Sequence, residues 1–181
     1  EGQQYDMDFE VREDVKIDEY LEMIRLKTAV LLGCSLKMGA LVGGADEENA
    51  NRIYEFGVNL GVAFQIQDDY LDAFGAQEKV GKQVGGDIIA NKKTYLLLAA
   101  QRDANEEQRL ALNVALAIKD KGEKVSNVLA IFNELNIGGK TEKKKEEYHT
   151  SALENLQNIT LEDSLKQPLY DLAKFLFSRE Y

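Results

Sequence analysis

The sequence predicts an all-α fold. Three observations carry that reading. The 181 residues contain a single proline, Pro168. No stretch alternates Thr, Val and Ile at a period of two, as a half-buried strand would. Apolar residues recur three and four positions apart, the spacing that lines one face of a helix. This length supports one domain with its own core. No internal repeat or compositional break marks a second, so residues 1–181 are expected to form a single all-helical domain.

Residues 2–12 read as the end of a helix. Asp18 is the expected cap of the next one, with Leu21, Ile24 and Leu31 among its core positions. That helix should reach Gly43-Gly44 and bend at Gly33. Asp46 caps a further helix running through residue 73. It contains Gly57 and Gly61, each costing about 1 kcal/mol relative to alanine in a helix interior. Close approach of another helix is the reason to expect them there. Residues 75–91 are glycine-rich and form the longest irregular segment. A segment of that length is either functional, as a lid over a bound ligand, or a disordered connector.

A short helix is expected over 92–103. Asn105 caps one over 106–119, with Leu110, Val114 and Ala117 facing inward. Gly122 separates it from 123–136, where Val125, Val128, Leu129 and Phe132 form a stripe, and Gly138-Gly139 end that element. Residues 140–158 open on KTEKKKEE, a mixed-charge run that reads as solvated helix surface. Lys143, Lys144 and Lys145 are given no binding role. The last helix spans 163–178, with Leu165, Leu169, Leu172 and Leu176 on one side.

Net charge is −10, which argues against nucleic acid as a partner and against adsorption to anionic membranes. The single cysteine, Cys34, allows no intrachain disulfide and reads as a small buried residue. His149, the only histidine, lies in a charged stretch and reads as solvated. No run of 18 apolar residues predicts a transmembrane helix, and no signal peptide is visible. A cytoplasmic protein is expected.

The chemistry concentrates at 57–75, GVNLGVAFQIQDDYLDAFG. On a helix, Gly61, Gln65, Asp68 and Asp72 share one stripe, and Asp69 lies about 100° round from it. Leu60, Val62, Phe64, Ile66 and Leu71 cover much of the rest. Crowded carboxylates repel one another, so either a pKa rises or a cation binds. All-oxygen ligands suit a hard ion such as magnesium, which shares carboxylates with phosphate. Taken alone, DDxxD is more often a solvated acidic helix end than a metal site. The next segment changes the balance. Residues 81–96, GKQVGGDIIANKKTYL, bring lysines, a Gly-Gly turn and Asp87. Acid for a metal and base for phosphate within some 25 residues is the composition of a metal–diphosphate site.

Together these motifs resemble the polyprenyl synthetase family, the trans-isoprenyl diphosphate synthases. FQIQDDYLDAFG is similar to its second aspartate-rich motif, and GK…GGDI…NKKTYLL to the lysine segment that follows. MIRLKTAVLL at 23–32 resembles its Lys-Thr helix, and GQQYD at 2–6 its GQ-x-x-D segment. The four occur in the family's order within residues 1–100. The family's first aspartate-rich motif, upstream of GQ-x-x-D, has no counterpart, so the chain resembles the C-terminal portion of a longer enzyme.

The resemblance implies an isoprenoid-synthase-type helical bundle and a prenyltransferase reaction. An allylic diphosphate ionises with Mg2+ assistance, and the double bond of isopentenyl diphosphate attacks the cation. It further implies Asp68 as a direct metal ligand, with Asp69, Asp72 and Asp87 holding metal-bound water or orienting lysines. Lys27, Lys82 and Lys92 would bind diphosphate, Lys92 rather than Lys93 matching the family's lysine. Thr28 and Gln65 would present oxygen dipoles to the cation, and Gln3, Asp6 and Phe64 would border the cavity. For Thr28, a hydroxyl bonded back to its own helix is the reading without the family. A homodimer is expected, and this chain by itself is expected to be inactive. A non-catalytic helical subunit that modulates a synthase is the rival reading, and a plain acidic helical domain a third. The intact DDYLD argues against the rival subunit, and the ordered series KT, DDxxD, GK, GGD and NKKT against the plain acidic domain.

Overall fold

The computed structural model describes residues 1–75 and 85–177. The described residues are helices and short connections, without strand. In chain order they are α1 (Gly2–Val11), α2 (Ile17–Ile24), a widened π turn (Arg25–Ala29), α3 (Val30–Val42), α4 (Glu47–Phe74), α5 (Gly86–Ile89), α6 (Tyr95–Asp103), α7 (Glu106–Leu116), α8 (Lys121–Glu134), α9 (Ile137–Gln157) and α10 (Asp163–Phe177). Among them no helix is long and apolar enough to cross a membrane.

Among the described residues, side-chain caps set four of the starts, at α4, α6, α7 and α8. Asp46 accepts the Asn49 N–H at 2.8 Å and opens α4. Asn105 and Gln108 form a reciprocal capping box at α7. Asp120 accepts the Glu123 N–H at 2.8 Å and opens α8. Because Asp120 is the cap, α7 stops at Leu116 and Gly122 falls inside α8 instead of separating the two helices. The stop of α8 is Asn136, held at φ +52°. Asparagine tolerates that left-handed state, so Gly138 and Gly139 lie in the first turn of α9. At α2 the helix begins at Ile17 and Asp18 lies within its first turn. Glu19 reaches back to the Lys16 N–H at 3.0 Å.

Contacts divide the chain into two compact units. The first holds residues 1–5, 22–67 and 144–177. The second holds 6–21 and 68–143. Helices α4 and α9 each contribute to both.

The core of the first unit joins Phe56 and Leu60 of α4 to Ala152 and Leu156 of α9 and Ala173 of α10. Leu36, Ile53, Leu169 and Leu176 pack around them. Here α4 and the chain running from the π turn into α3 come as close as backbones allow. A Cβ at Gly61 would lie 2.7 Å from the Ala29 Cα, and one at Gly57 2.8 Å from the Gly33 Cα. The glycines therefore answer to packing. The helix departs from regularity at Arg25–Ala29 and not at Gly33: the Val30 N–H bonds the Arg25 carbonyl, five residues back. Leu31 points away from this core and is exposed, and Cys34 is half-buried.

In the second unit α8 packs on α5, α6 and α7, through Val128 and Phe132 as expected. The inward face of α7 differs from the expected one. Leu112 and Ala115 are buried, while Leu110 and Val114 are 66% and 61% exposed. Residues 85–91 are not irregular throughout, since Gly86–Ile89 close one helical turn. Gly85 starts that turn at φ +81°, and a Cβ there would meet Val125 at 2.7 Å, so glycine is required twice over.

The charged opening of α9 is less solvated than its composition suggests. Lys145 is buried, with its Nζ 4.5 Å from the centre of the Phe177 ring. His149, one turn on, stacks on the same ring at 3.9 Å. On α10, Leu165 is exposed while Leu169, Leu172 and Leu176 are partly buried. The Lys166 ammonium is buried beside them and donates to the Gln157 and Ile159 carbonyls at 3.0 and 3.2 Å.

Candidate functional site

The predicted site residues fall into two groups, one in each unit. In the second unit, α4 delivers Asp68, Asp69 and Asp72 over its last two turns. Asp68 is exposed, Asp69 buried and Asp72 half-buried. The chain then returns to the same helix. The Gly85 N–H donates to the Asp72 carbonyl at 2.6 Å, and the Asp87 N–H to Asp72 Oδ2 at 2.9 Å. That return sets Asp87 and Lys92 beside the acidic turns. Lys92 Nζ lies 3.4 Å from Asp87 Oδ1. The backbone carrying them is fixed by the Lys92 N–H on the Asp87 carbonyl at 3.0 Å. Thr94 then caps α6.

Asp69 has three attachments. Tyr20 of α2, itself buried, donates its hydroxyl to Asp69 Oδ2 at 2.5 Å. The backbone N–H of Tyr95, the first residue of α6, also donates to the carboxylate, and the Lys92 charge acts on it. Burial lifts the Asp69 carboxyl to about pH 7, with Asp87 adding to the rise and Lys92 and Tyr20 opposing it. Burial, followed by the Asp69 charge, pushes the Tyr20 phenol well above its ordinary range. Asp72 is also raised, by burial first and then by Asp87, against the hydrogen bonds it accepts. Burial disfavours the Lys92 ammonium, but Asp69 and Asp87 outweigh it and its pKa ends above the usual lysine value.

These shifts test the fit of a metal. Among the described residues no three of His, Cys, Asp and Glu form a preformed cage. Yet Asp69 and Asp72 are both raised, by burial first, with the Asp87 charge adding to each rise. The donors are all oxygen, a set that suits a hard divalent ion. The residues present fit the metal expected of them.

Beside this cluster a groove of about 540 Å³ is lined by Asp6, Phe9, Glu10, Asn91, Lys92 and Lys93. Asp6 thus comes to Lys92, and its charge acts on both Lys92 and Tyr20. Gln3 is exposed on the first turn of α1, in the other unit. Lys82, and most of the stretch considered as a lid, lie at 76–84, outside the described residues.

In the first unit Lys27 and Thr28 occupy the π turn, Lys27 exposed and Thr28 half-buried. A Cβ at Gly2 would lie 2.3 Å from the Lys27 backbone N, so α1 rests directly on this turn. Thr28, Leu31, Leu32, Gly61, Phe64 and Leu176 line an apolar groove of about 380 Å³. Gln65 is half-buried on α4.

Reading the sequence does not single out Tyr20. Its signal is a hydroxyl on the buried stripe it shares with Met23 and Ile24. A phenol in such a place needs a buried acceptor.

Comparison with known proteins places these motifs. The geranylgeranyl diphosphate synthase of Saccharolobus solfataricus is 34% identical over 181 residues, covering 99% of this chain and 54% of that protein. Geranylgeranyl pyrophosphate synthetase from Pyrococcus horikoshii superposes with a TM-score of 0.90 at 32% identity, covering 99% of this chain and 54% of that one. Polyprenyl synthase from Caulobacter crescentus, crystallised with calcium and isoprenyl diphosphate, gives 0.86 at 26% identity, covering 99% and 55%. The chain spans about half the length of the curated relatives it matches. The family model described as polyprenyl synthetase matches residues 1–135. That match takes in every motif described above, and the chain belongs to the polyprenyl synthetase family.

Proposed function

We propose that this chain carries the leaving-diphosphate end of a prenyltransferase that condenses an allylic diphosphate with isopentenyl diphosphate. The observation that supports it most is the return of the chain onto α4. Asp87 bonds Asp72 through its N–H, and Lys92 is thereby held at 3.4 Å from Asp87 within the field of Asp69. Loss of pyrophosphate separates charge, so the catalytic need is for positive groups fixed where negative charge grows.

Asp68 would hold magnesium directly, with Asp69, Asp72 and Asp87 holding metal-bound water or orienting the lysines. Magnesium when bound neutralises charge on the departing pyrophosphate. The crystallisation of the Caulobacter relative with calcium and isoprenyl diphosphate is in keeping with a divalent ion. Lys92 donates to diphosphate oxygens, and Lys27 and Lys82 do the same. Thr28 and Gln65 turn oxygen dipoles toward the developing allylic cation. The apolar groove of the first unit, lined by Thr28, Gly61, Phe64 and Leu176, has the chemistry a hydrocarbon needs, burial without hydrogen bonds.

The test separates binding from turnover. A ligand bound only by the native state adds RT ln(1 + [L]/Kd), about 2.7 kcal/mol at a hundred times Kd. Magnesium with pyrophosphate should raise the melting temperature. Asp68→Ala should remove the rise and Lys92→Ala should reduce it. Equal melting temperatures with and without millimolar magnesium pyrophosphate would refute the assignment.

A further inference from the structure

We propose that Tyr20 is a positioning residue of the diphosphate site, acting on Lys92 through Asp69. The inference rests on the function proposed above and extends it to a residue outside the recognised motifs.

Tyr20 and Asp69 are both buried, and the hydroxyl donates to Asp69 Oδ2 at 2.5 Å. The contact joins α2 to α4 across 49 residues of sequence. Asp69 also accepts the Tyr95 N–H at the start of α6. Two donors from two helices therefore pin one carboxylate, and a carboxylate so held has little freedom to rotate. It also interacts with Lys92, whose ammonium it stabilises together with Asp87.

Lys92 is itself about two-fifths exposed and sits on a short connection between α5 and α6. A long side chain there samples many rotamers unless a fixed charge restrains it. Asp87 provides one restraint at 3.4 Å. Asp69 provides the second, and Tyr20 keeps Asp69 in place. Without the phenol, Asp69 can turn within its site, and Lys92 is restrained from one side only. The diphosphate then pays the ordering entropy that the protein had already met.

The experiment is a double-mutant cycle on magnesium pyrophosphate affinity, measured calorimetrically with this chain. Tyr20→Phe should fold with little change in circular dichroism and weaken pyrophosphate roughly three- to tenfold, the equivalent of one hydrogen bond. In a Lys92→Ala background the same substitution should have no further effect. Asp69→Asn, which leaves an oxygen to accept the phenol, should repeat both results and serves if Tyr20→Phe does not fold. Losses that multiply in the Lys92→Ala background would overturn the proposal, since Tyr20 would then act on stability alone. Unchanged affinity in Tyr20→Phe would overturn it too. Wild-type protein that binds no magnesium pyrophosphate would instead remove the proposed function and this inference with it.

Discussion

His149 is a residue whose setting reverses the reading of its sequence neighbourhood. It is stacked on Phe177 with Nε2 buried and without a hydrogen-bond partner, among the described residues. Burial lowers its pKa, Lys145 lowers it further and Glu146 opposes them. A histidine with a folded pKa below the free value of about 6.5 stabilises the fold fully above that pH. The contribution is lost as pH falls through the lower folded value. Wild-type protein should therefore lose more melting temperature between about pH 7 and pH 5 than His149→Phe, which keeps the ring and never charges. Parallel curves for the two proteins would count against this. Nothing in KTEKKKEEYHT announces the setting, because the ring that buries Lys145 and His149 arrives from α10.

At the level of the element, glycines in helices divide by what stands opposite them. Gly39 in α3 has no atom within 4 Å of a Cβ, whereas at Gly61 a Cβ would lie 2.7 Å from the Ala29 Cα. Gly39→Ala should stabilise by about 0.5–1 kcal/mol, the propensity difference alone. Gly61→Ala should destabilise by about 1–3 kcal/mol, since backbone must move to admit the methyl. Urea unfolding of the two variants, compared at constant m, checks the pair. Both changes in the same direction would mean that propensity and not the close approach governs α4. Sequence reasoning reached the packing role of Gly57 and Gly61 but misjudged the face of α7. Capping at Asn105 and Asp120 is local. Whether 110/114 or 112/115 turns inward depends on where α8 lies.

For the whole molecule, exposed apolar residues and chain coverage point the same way. Leu31, Met38, Leu41 and Val42 lie on α3 with exposures of 72%, 62%, 49% and 90%. Such a line favours association. Sedimentation should show this 181-residue chain as a dimer or larger, and Leu31→Glu with Met38→Glu should shift it toward monomer. A second expectation follows from the proposed function. On that proposal, ionisation requires diphosphate held between two carboxylate clusters, and this sequence carries one. Incubated with magnesium, an allylic primer and radiolabelled isopentenyl diphosphate, the chain should form no prenyl product. Loss of positioning and of charge stabilisation each forfeits several kcal/mol. Clear turnover would mean that one aspartate cluster suffices.

By itself the sequence determined the helical class, the caps at Asp46 and Asn105, and the family. It also pointed to DDYLD, GGD and NKK as the candidate stretches for the chemistry. All of these are written within a few turns of chain, where the 3.6-residue period and side-chain-to-backbone hydrogen bonds act. Tertiary structure alone decided that Asp69 is pinned by Tyr20 from 49 residues away. It decided as well that Lys92 faces Asp87 and that the widened turn falls on Lys27-Thr28. These depend on which helices meet. A carboxylate's role follows from the donors and the dielectric around it, and those belong to segments distant in sequence.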